Sequence, residues 1–194
     1  MSEPLYYVNE GLRGMFWTMF GIYGTSELFI ARLRAKGADR TDDRGSLLRF
    51  MTILPFGWVV GILLGELTWA SFGTVQIFYA GLVLMIAGVL LRWWSVATLG
   101  RFFTVNVAIR PDHKVVDWGP YRYVRHPAYT AVLLVHVGAS LCLANVLSVV
   151  ALTVPLMVVL VYRMRVEEDV LLAGLGQAYR DYMTRTKRLI PGMY

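Results

Sequence analysis

The sequence predicts an all-α integral membrane protein with about five transmembrane helices. Of its 194 residues, 57% are hydrophobic and only 16% are charged, a composition too apolar for a soluble domain of this length. Apolar runs fall at about 14–31, 50–66, 74–91, 128–144 and 146–162. Each run is close to the ~20 residues that cross a hydrocarbon core of ~30 Å. Because only Asn145 separates the last two runs, they are predicted to form a tight antiparallel hairpin at the C-terminal end.

Prolines and glycines lie inside several of these apolar runs. Pro55 and Pro155 lie inside the second and fifth runs, where a kink is tolerated if neighbouring helices satisfy the released carbonyls. Four glycines in the first and third runs are small positions predicted to allow close helix packing: Gly21, Gly24, Gly81 and Gly88. Glu27 lies inside the first run and Glu66 closes the second, and for both acids we favour a structural role.

The basic residues predict the orientation of the chain in the membrane. Of the 19 lysines and arginines, all but Arg13 follow the first, third or fifth run. By the positive-inside tendency these three segments face the cytoplasm, which places the N-terminus outside and the C-terminus inside. The net charge of +6 then reflects loops that face anionic lipid rather than a nucleic-acid partner. No obligate protein partner is evident.

Several classes of site are excluded by composition and spacing. His113, His126 and His136 are scattered, and Cys142 is the single cysteine, so no metal site is predicted. The sequence contains no G-x-S-x-G element of a serine hydrolase. Gly174-Leu-Gly176 has no preceding strand and no third glycine, so it is expected to end a helix rather than bind a dinucleotide.

Two polar clusters flank the C-terminal hairpin and predict a cytoplasmic pocket at the membrane surface. The first is Gly119-Pro-Tyr-Arg-Tyr-Val-Arg-His-Pro-Ala-Tyr129, and the second is Arg163-Met-Arg-Val-Glu-Glu-Asp169. Arg163 and Glu167 are four residues apart and share a helix face, whereas Glu168 points elsewhere. Arg163 would bind an anion through its planar fork, and Glu167 would accept hydrogen bonds; the alternative is a surface ion pair. Backbone groups around His113 are suited to bind the edge of a nucleoside.

The order of these motifs resembles the isoprenylcysteine carboxyl methyltransferase family and the wider group of membrane phospholipid methyltransferases. The resemblance rests on the first cluster, the apolar hairpin, Arg163-x-x-x-Glu-Glu168, Gly176-x-x-Tyr-x-x-Tyr182 and Arg188-Leu-Ile-Pro191. It covers about residues 74–194. It therefore divides the chain into an N-terminal two-span region, 1–73, and a methyltransferase core, 74–194.

The resemblance implies a membrane-embedded methyltransferase that uses S-adenosylmethionine without a Rossmann domain. Its acceptor would be the carboxylate of an isoprenylated cysteine, or a similar lipid-linked carboxylate, reaching the site from the bilayer among the membrane lipids. Arg163 falls where the family meets the substrate carboxylate and is the candidate catalytic residue. The cofactor-binding residues implied are His113, Lys114, Val115, Val116, Tyr121, His126, Pro127, Ala128, Tyr129 and Glu167. The loop Asn106–Asp112 looks shorter than in eukaryotic members, so an adenine contact is not assigned there.

Three alternatives to this function remain open from the sequence. A phospholipid amine N-methyltransferase would use the same cofactor but would have to deprotonate its acceptor. A reductase of the sterol type would use NADPH, whose additional phosphates call for more clustered arginine than the two polar clusters contain. A scaffold protein would leave the density of arginine, histidine and tyrosine at 121–129 unexplained.

Overall fold

The computed structural model describes residues 9–34, 44–65, 71–72, 74–104, 109 and 112–194. Among these residues the only β-pairing consists of isolated bridges, so the all-α prediction is confirmed for them. The same part of the chain forms six α-helices, joined in places by short turns of 3₁₀ helix. Their bounds are α1 Glu10–Arg34, α2 Ser46–Gly65, α3 Val75–Leu99, α4 Pro127–Leu143, α5 Val146–Leu175 and α6 Gln177–Arg185.

The five predicted apolar runs coincide with α1 to α5. Within the described residues, three helical stretches are long and apolar enough to cross a membrane, namely Ser46–Gly65, Val75–Phe102 and Val146–Leu175. Helix α4 is apolar but shorter. Helix α1 carries Glu27 and several hydroxyl residues, which reduce its apolar character. The count of five spans therefore stays a prediction. Glu66 lies outside the described residues.

Helices α3 and α4 approach each other through glycines. A Cβ atom built on Gly81 would lie 2.5 Å from the carbonyl oxygen of Gly138, and one on Gly88 would lie 2.7 Å from that of Ala131. Only a residue without a side chain allows the two backbones to come this close. Close packing at Gly81 and Gly88 is thus confirmed: Gly81 faces Gly138 of α4, and Gly88 faces Ala131 and Val135.

The same expectation was wrong for Gly21 and Gly24 on α1. A Cβ atom at either position would have no neighbour within 4 Å. Helix α1 instead packs through large side chains, because Phe16 and Tyr23 enter a core cluster with Trp58 of α2. Large side chains hold helix axes apart, so these two glycines do not contact another helix.

The predicted C-terminal hairpin is present, and its turn has a clear local cause. Ala144 adopts a left-handed conformation with φ of 49° and ends α4. The Asn145 side chain then accepts hydrogen bonds from the backbone amides of Leu147 and Ser148, at 2.9 and 3.3 Å, and caps α5. Helix α5 ends before Gly176, whose φ is 57°. The interpretation of this glycine segment as a helix end is therefore confirmed.

Candidate functional site

A cavity of about 470 Å³ lies between α1, α2, α3, α5 and the connection that precedes α4. All but one of the predicted site residues line it. The exception is Pro127, which occupies the first position of α4, where its missing N–H costs no helical hydrogen bond. The structure thus brings together two motifs that are far apart in the sequence, one on each side of the hairpin.

Tyr129 joins the two candidate residues of α5. Its hydroxyl donates to Oε2 of Glu167 at 2.7 Å and accepts from Nε of Arg163 at 2.9 Å. The Arg163 guanidinium also donates through Nη1 to Oγ of Ser46 on α2, at 3.0 Å. Arg163 is buried, whereas 30% of the Glu167 side chain remains exposed. A phenol on α4 and a hydroxyl on α2 therefore fix the guanidinium in the cavity wall.

Glu168 points away from this group into a buried ion-pair cluster. Its carboxylate accepts from Nε of Arg125 at 2.9 Å and from Nη2 of Arg188 at 2.5 Å, and it lies 3.3 Å from Nε2 of His126. Hydrogen bonding to Glu168 raises the pKa of Arg188 above its ordinary value, against the effect of burial. The sequence indicated that Glu168 points elsewhere, and the structure shows that it organises the protein beside the cavity.

The ion-pair cluster fastens the C-terminal segment beside the start of α4. The backbone amide of Arg125 donates to the carbonyl of Lys187 at 2.7 Å, and that of His126 donates to the carbonyl of Arg188 at 2.9 Å. Nη1 of Arg125 also donates to the backbone carbonyls of Met183 and Thr186. The closing motif at Arg188 thus has a structural function that motif order alone did not reveal.

His126 stands between the two adjacent glutamates of α5. Its Nε2 is 3.3 Å from Oε1 of Glu168, and its Nδ1 is 3.8 Å from Oε2 of Glu167. The imidazole also stacks on the ring of Tyr129, with centroids 5.4 Å apart. His126 therefore contacts both the Arg163–Tyr129–Glu167 group of the cavity and the ion-pair cluster around Glu168.

Aromatic side chains form another wall of the cavity. The Tyr182 hydroxyl donates to the carbonyl of Tyr121 at 2.7 Å, which ties α6 to the turn before α4. Burial, and then the charge of Glu167, raise the pKa of the Tyr121 phenol well above its usual range, so this group stays protonated and can donate. Tyr179 and Tyr182 come from the motif that follows Gly176, and both line the cavity.

The segment 113–116 passes along the cavity without regular secondary structure. The His113 ring stacks on Phe102, with centroids 4.8 Å apart and planes inclined by 30°. Of the preceding loop, Asn106–Asp112, the structure describes only Ile109 and Asp112. Ile109 packs on α5 at Gly174, where an added Cβ atom would overlap it. The lack of a side chain at Gly174 therefore allows this loop to lie against α5.

Sequence reasoning missed Arg92 as a cavity residue. Nε and Nη2 of Arg92 donate to the two carboxylate oxygens of Glu27, at 2.8 and 2.9 Å. Beside this pair, Nε1 of Trp93 donates to Oγ of Ser26 at 2.7 Å. Arg92 had entered only the charge count for orientation. The sequence did contain a signal for this ion pair, because an acid lies inside one apolar run and an arginine directly follows another.

The cavity is amphipathic. Its polar end contains Arg163, Tyr129 and Glu167, whereas its wall on α1 and α2 is mainly apolar and includes Leu28 and Met51. Among the described residues no group of three histidine, cysteine or acidic side chains is placed to hold a metal ion. The arrangement suits a ligand with a hydrocarbon part and a charged or polar head.

Comparisons with known proteins agree with the motif order. The sequence profile of the isoprenylcysteine carboxyl methyltransferase (ICMT) family matches residues 81–173. A probable protein-S-isoprenylcysteine O-methyltransferase of Oryza sativa is 36% identical over 115 residues, which are 58% of this chain and 60% of the rice protein. Protein-S-isoprenylcysteine O-methyltransferase B of Arabidopsis thaliana is 34% identical over 113 residues, 57% of each chain. The chain thus aligns with little more than half the length of these relatives.

A solved structure shares the fold. The structure of the eukaryotic intramembrane Ras methyltransferase ICMT aligns with a TM-score of 0.68 over 98% of this chain and 72% of that one, at 23% identity. At this identity the likeness concerns the fold. Together with the apolar helices it indicates an integral membrane protein. The profile match and the sequence relatives agree with it: the chain is similar to the isoprenylcysteine carboxyl methyltransferase family over residues 81–173.

Proposed function

We propose that this protein is a membrane-embedded S-adenosylmethionine-dependent carboxyl O-methyltransferase that acts on an isoprenylcysteine or a similar lipid-linked carboxylate. The observation that carries the proposal is the Arg163–Tyr129–Glu167 group at the polar end of a cavity whose wall on α1 and α2 is mainly apolar. The curated relatives are named for this activity, and the match to the family profile, over residues 81–173, includes the residues of that group.

The cavity residues fit S-adenosylmethionine. Glu167 offers a partly exposed carboxylate for ammonium or hydroxyl donors, and aromatic rings from the turn at Tyr121 and from α6 offer faces on which a base can stack. When bound, this cofactor supplies an electrophilic methyl group on a sulfonium. The residues proposed to hold it are His113, Lys114, Val115, Val116, Tyr121, His126, Ala128, Tyr129 and Glu167, with Pro127 fixing the start of α4.

Arg163 is proposed to bind the acceptor carboxylate. A carboxylate is already a nucleophile at neutral pH, so the protein needs to align it and exclude water rather than supply a strong base. The hydrogen bonds from Arg163 to Tyr129 and Ser46 hold the guanidinium in one orientation, which favours such alignment. The catalytic contribution of this chain would then be positioning.

The positive-inside distribution supports a cavity that opens to the cytoplasm, with five spans, the N-terminus outside and the C-terminus inside. The polar cofactor would reach the cavity from the cytoplasm, and the lipid-linked acceptor from the bilayer. The division into a two-span region, 1–73, and a core, 74–194, remains a proposal, and α1 and α2 both contribute residues to the cavity.

The proposal is tested with purified protein in detergent. We expect S-adenosylmethionine and its demethylated product to bind, NADPH not to bind, and a labelled methyl group to be transferred to N-acetyl-S-farnesylcysteine. Transfer to phosphatidylethanolamine in preference would favour the amine-methylating alternative, for which Glu27 and Glu167 in the cavity wall are the supporting observation. Binding of NADPH alone would favour the reductase.

Arg163→Lys tests the carboxylate contact. Lysine keeps the charge but loses the planar fork, so cofactor affinity should change little while turnover falls by about a hundredfold through misalignment. Arg165→Lys is the matched control, because Arg165 lies on the exposed side of the same helix. If Arg163→Lys abolishes cofactor binding instead, Arg163 belongs to the cofactor site and the carboxylate mechanism loses its anchor.

A further inference from the structure

A second, smaller cavity of about 260 Å³ lies between the turn before α4, the end of α6 and the C-terminal segment. Arg125 lines both cavities, so the second cavity adjoins the ion-pair cluster around Glu168. The rest of its polar lining comes from Tyr123, Thr184, Arg185, Thr186 and Lys187. No step of the proposed methyl transfer uses this cavity.

Positive charge at the second cavity exceeds the negative charge that faces it. Arg125 binds Glu168, a carboxylate that it shares with a second arginine. Nη2 of Arg185 lies 3.6 Å from Oδ2 of Asp117, and both of these side chains are more than half exposed. Within the described residues, Lys187 forms no ion pair with a carboxylate. Three cations thus line one cavity with fewer than three carboxylates to balance them, which favours an anionic ligand.

The surface beside the second cavity has the character of a membrane interface. Trp118 follows Asp117 and is 59% exposed, and Tyr123 in the cavity wall is exposed to the same extent. Aromatic residues of these two types concentrate at the level of lipid headgroups. Gly192 also lines the cavity, and the next residue, Met193, is exposed. An anion bound here would therefore have apolar and aromatic side chains beside it.

We propose that the second cavity binds the phosphodiester headgroup of an anionic phospholipid through Arg185 and Lys187, with the Tyr123 hydroxyl as a further donor. Phosphate oxygens are strong acceptors for charge-assisted hydrogen bonds from such cations. A free phosphate ion has the same chemistry, but the exposed Trp118 and Met193 favour a headgroup whose hydrocarbon chains continue into the bilayer. The segment is also predicted to face the cytoplasm, where anionic lipids attract lysine and arginine.

A headgroup bound at this place would strengthen the attachment of the C-terminal segment. The backbone carbonyls of Thr186 and Lys187 accept hydrogen bonds from Arg125. The cationic side chains of Arg185 and Lys187 flank this attachment, and an anion between them offsets their repulsion. Because a ligand that binds only the folded state stabilises it, the lipid should raise Tm.

Thermal unfolding in detergent micelles containing either phosphatidylglycerol or phosphatidylcholine tests the site. We expect Tm to rise with the mole fraction of phosphatidylglycerol and to change little with phosphatidylcholine, whose headgroup has no net charge. The double variant Arg185→Gln/Lys187→Gln should need about thirtyfold more phosphatidylglycerol for the same rise, from about fivefold for each cation. Arg165→Gln/Arg180→Gln is the matched control, because both residues are exposed and neither lines the second cavity. The control removes the same charge and should stay close to the native protein.

Inorganic phosphate distinguishes a lipid headgroup from a soluble source of the same chemistry. If saturating inorganic phosphate raises Tm as far as phosphatidylglycerol does and removes the further effect of the lipid, the assignment to a lipid is wrong. An equal loss of response in the two double variants would show diffuse attraction by surface charge and overturn the site. An unchanged Tm of the native protein with phosphatidylglycerol would overturn it as well. None of these measurements involves methyl transfer, so their failure leaves the proposed function intact.

Discussion

Replacement of Glu168 by alanine should destabilise the protein far more than replacement of its neighbour Asp169. Glu168 is 3% exposed and binds Arg125 and Arg188, with His126 alongside. Removing the carboxylate leaves the guanidinium groups of Arg125 and Arg188 without their negative partner and releases the C-terminal segment that Arg188 holds. Asp169 forms one ion pair with Arg44, and both side chains are more than half exposed.

The expected magnitudes follow from this difference in exposure. Breaking a buried ion pair by removing one partner costs about 3–5 kcal/mol. Arg188 keeps 26% of its side chain exposed, so water can partly replace the lost carboxylate, and we expect the lower end, ~3 kcal/mol. An exposed pair such as Asp169–Arg44 contributes ~0–1 kcal/mol. For a chain of this size, ~3 kcal/mol lowers Tm by about 6–12 °C.

Thermal unfolding of the purified variants in detergent measures both effects. A fall in Tm for Glu168→Ala that is several times the fall for Asp169→Ala would agree with the structure. If the two variants unfold at the same temperature, Glu168 does not support the fold in the way the distances indicate. The Tm of Glu168→Asp, which keeps the charge on a shorter side chain, shows how much of the loss in stability comes from charge alone.

Three further predictions concern the cavity, the helix packing and the orientation. Glu167→Ala should weaken S-adenosylmethionine binding about tenfold to a hundredfold, measured by calorimetry, with little change in Tm; unchanged affinity would remove Glu167 from the cofactor site. Gly81→Ala places a Cβ atom 2.5 Å from a carbonyl oxygen of α4 and should cost about 1–3 kcal/mol in thermal unfolding, whereas Gly14→Ala, with open space around it, should not destabilise. Single cysteines at Ser2 and Tyr194, in a background without the native cysteine, should be labelled from opposite sides of sealed vesicles; labelling from one side would reject five spans.

The features that sequence reasoning predicted correctly are those set by nearby residues. Apolar runs specify helices because each residue's side chain and hydrogen bonds lie within one or two turns. The hairpin followed from the single residue between two runs, and Asn145 is a residue type that caps a helix with its own side chain. The shared face of Arg163 and Glu167 followed from the helical repeat in the same way.

The features that sequence reasoning did not predict depend on which helices pack against each other. Glu27 and Arg92 are 65 positions apart, and Arg125 and Glu168 are 43 apart, so no periodicity relates them. Glycines give the clearest case. Gly81 and Gly24 occur in similar apolar runs, but only Gly81 meets the backbone of another helix. The same residue type thus marks a helix contact at one position and lines a cavity at the other, and only the packing of the neighbours decides which.

The adjacent positions 167 and 168 show how one residue step along a helix separates the candidate chemistry from stability. Successive residues of a helix point about 100° apart, so Glu167 faces the cavity while Glu168 faces the C-terminal segment. His126 touches both carboxylates and Tyr129 stacks on it, so a shift of Glu168 would be transmitted to the hydroxyl that binds Glu167 and Arg163. We therefore expect the geometry of the candidate site to depend on Arg188, 20 positions beyond Glu168. A substitution at Arg188 should lower activity through the position of Tyr129, although Arg188 does not line the cavity.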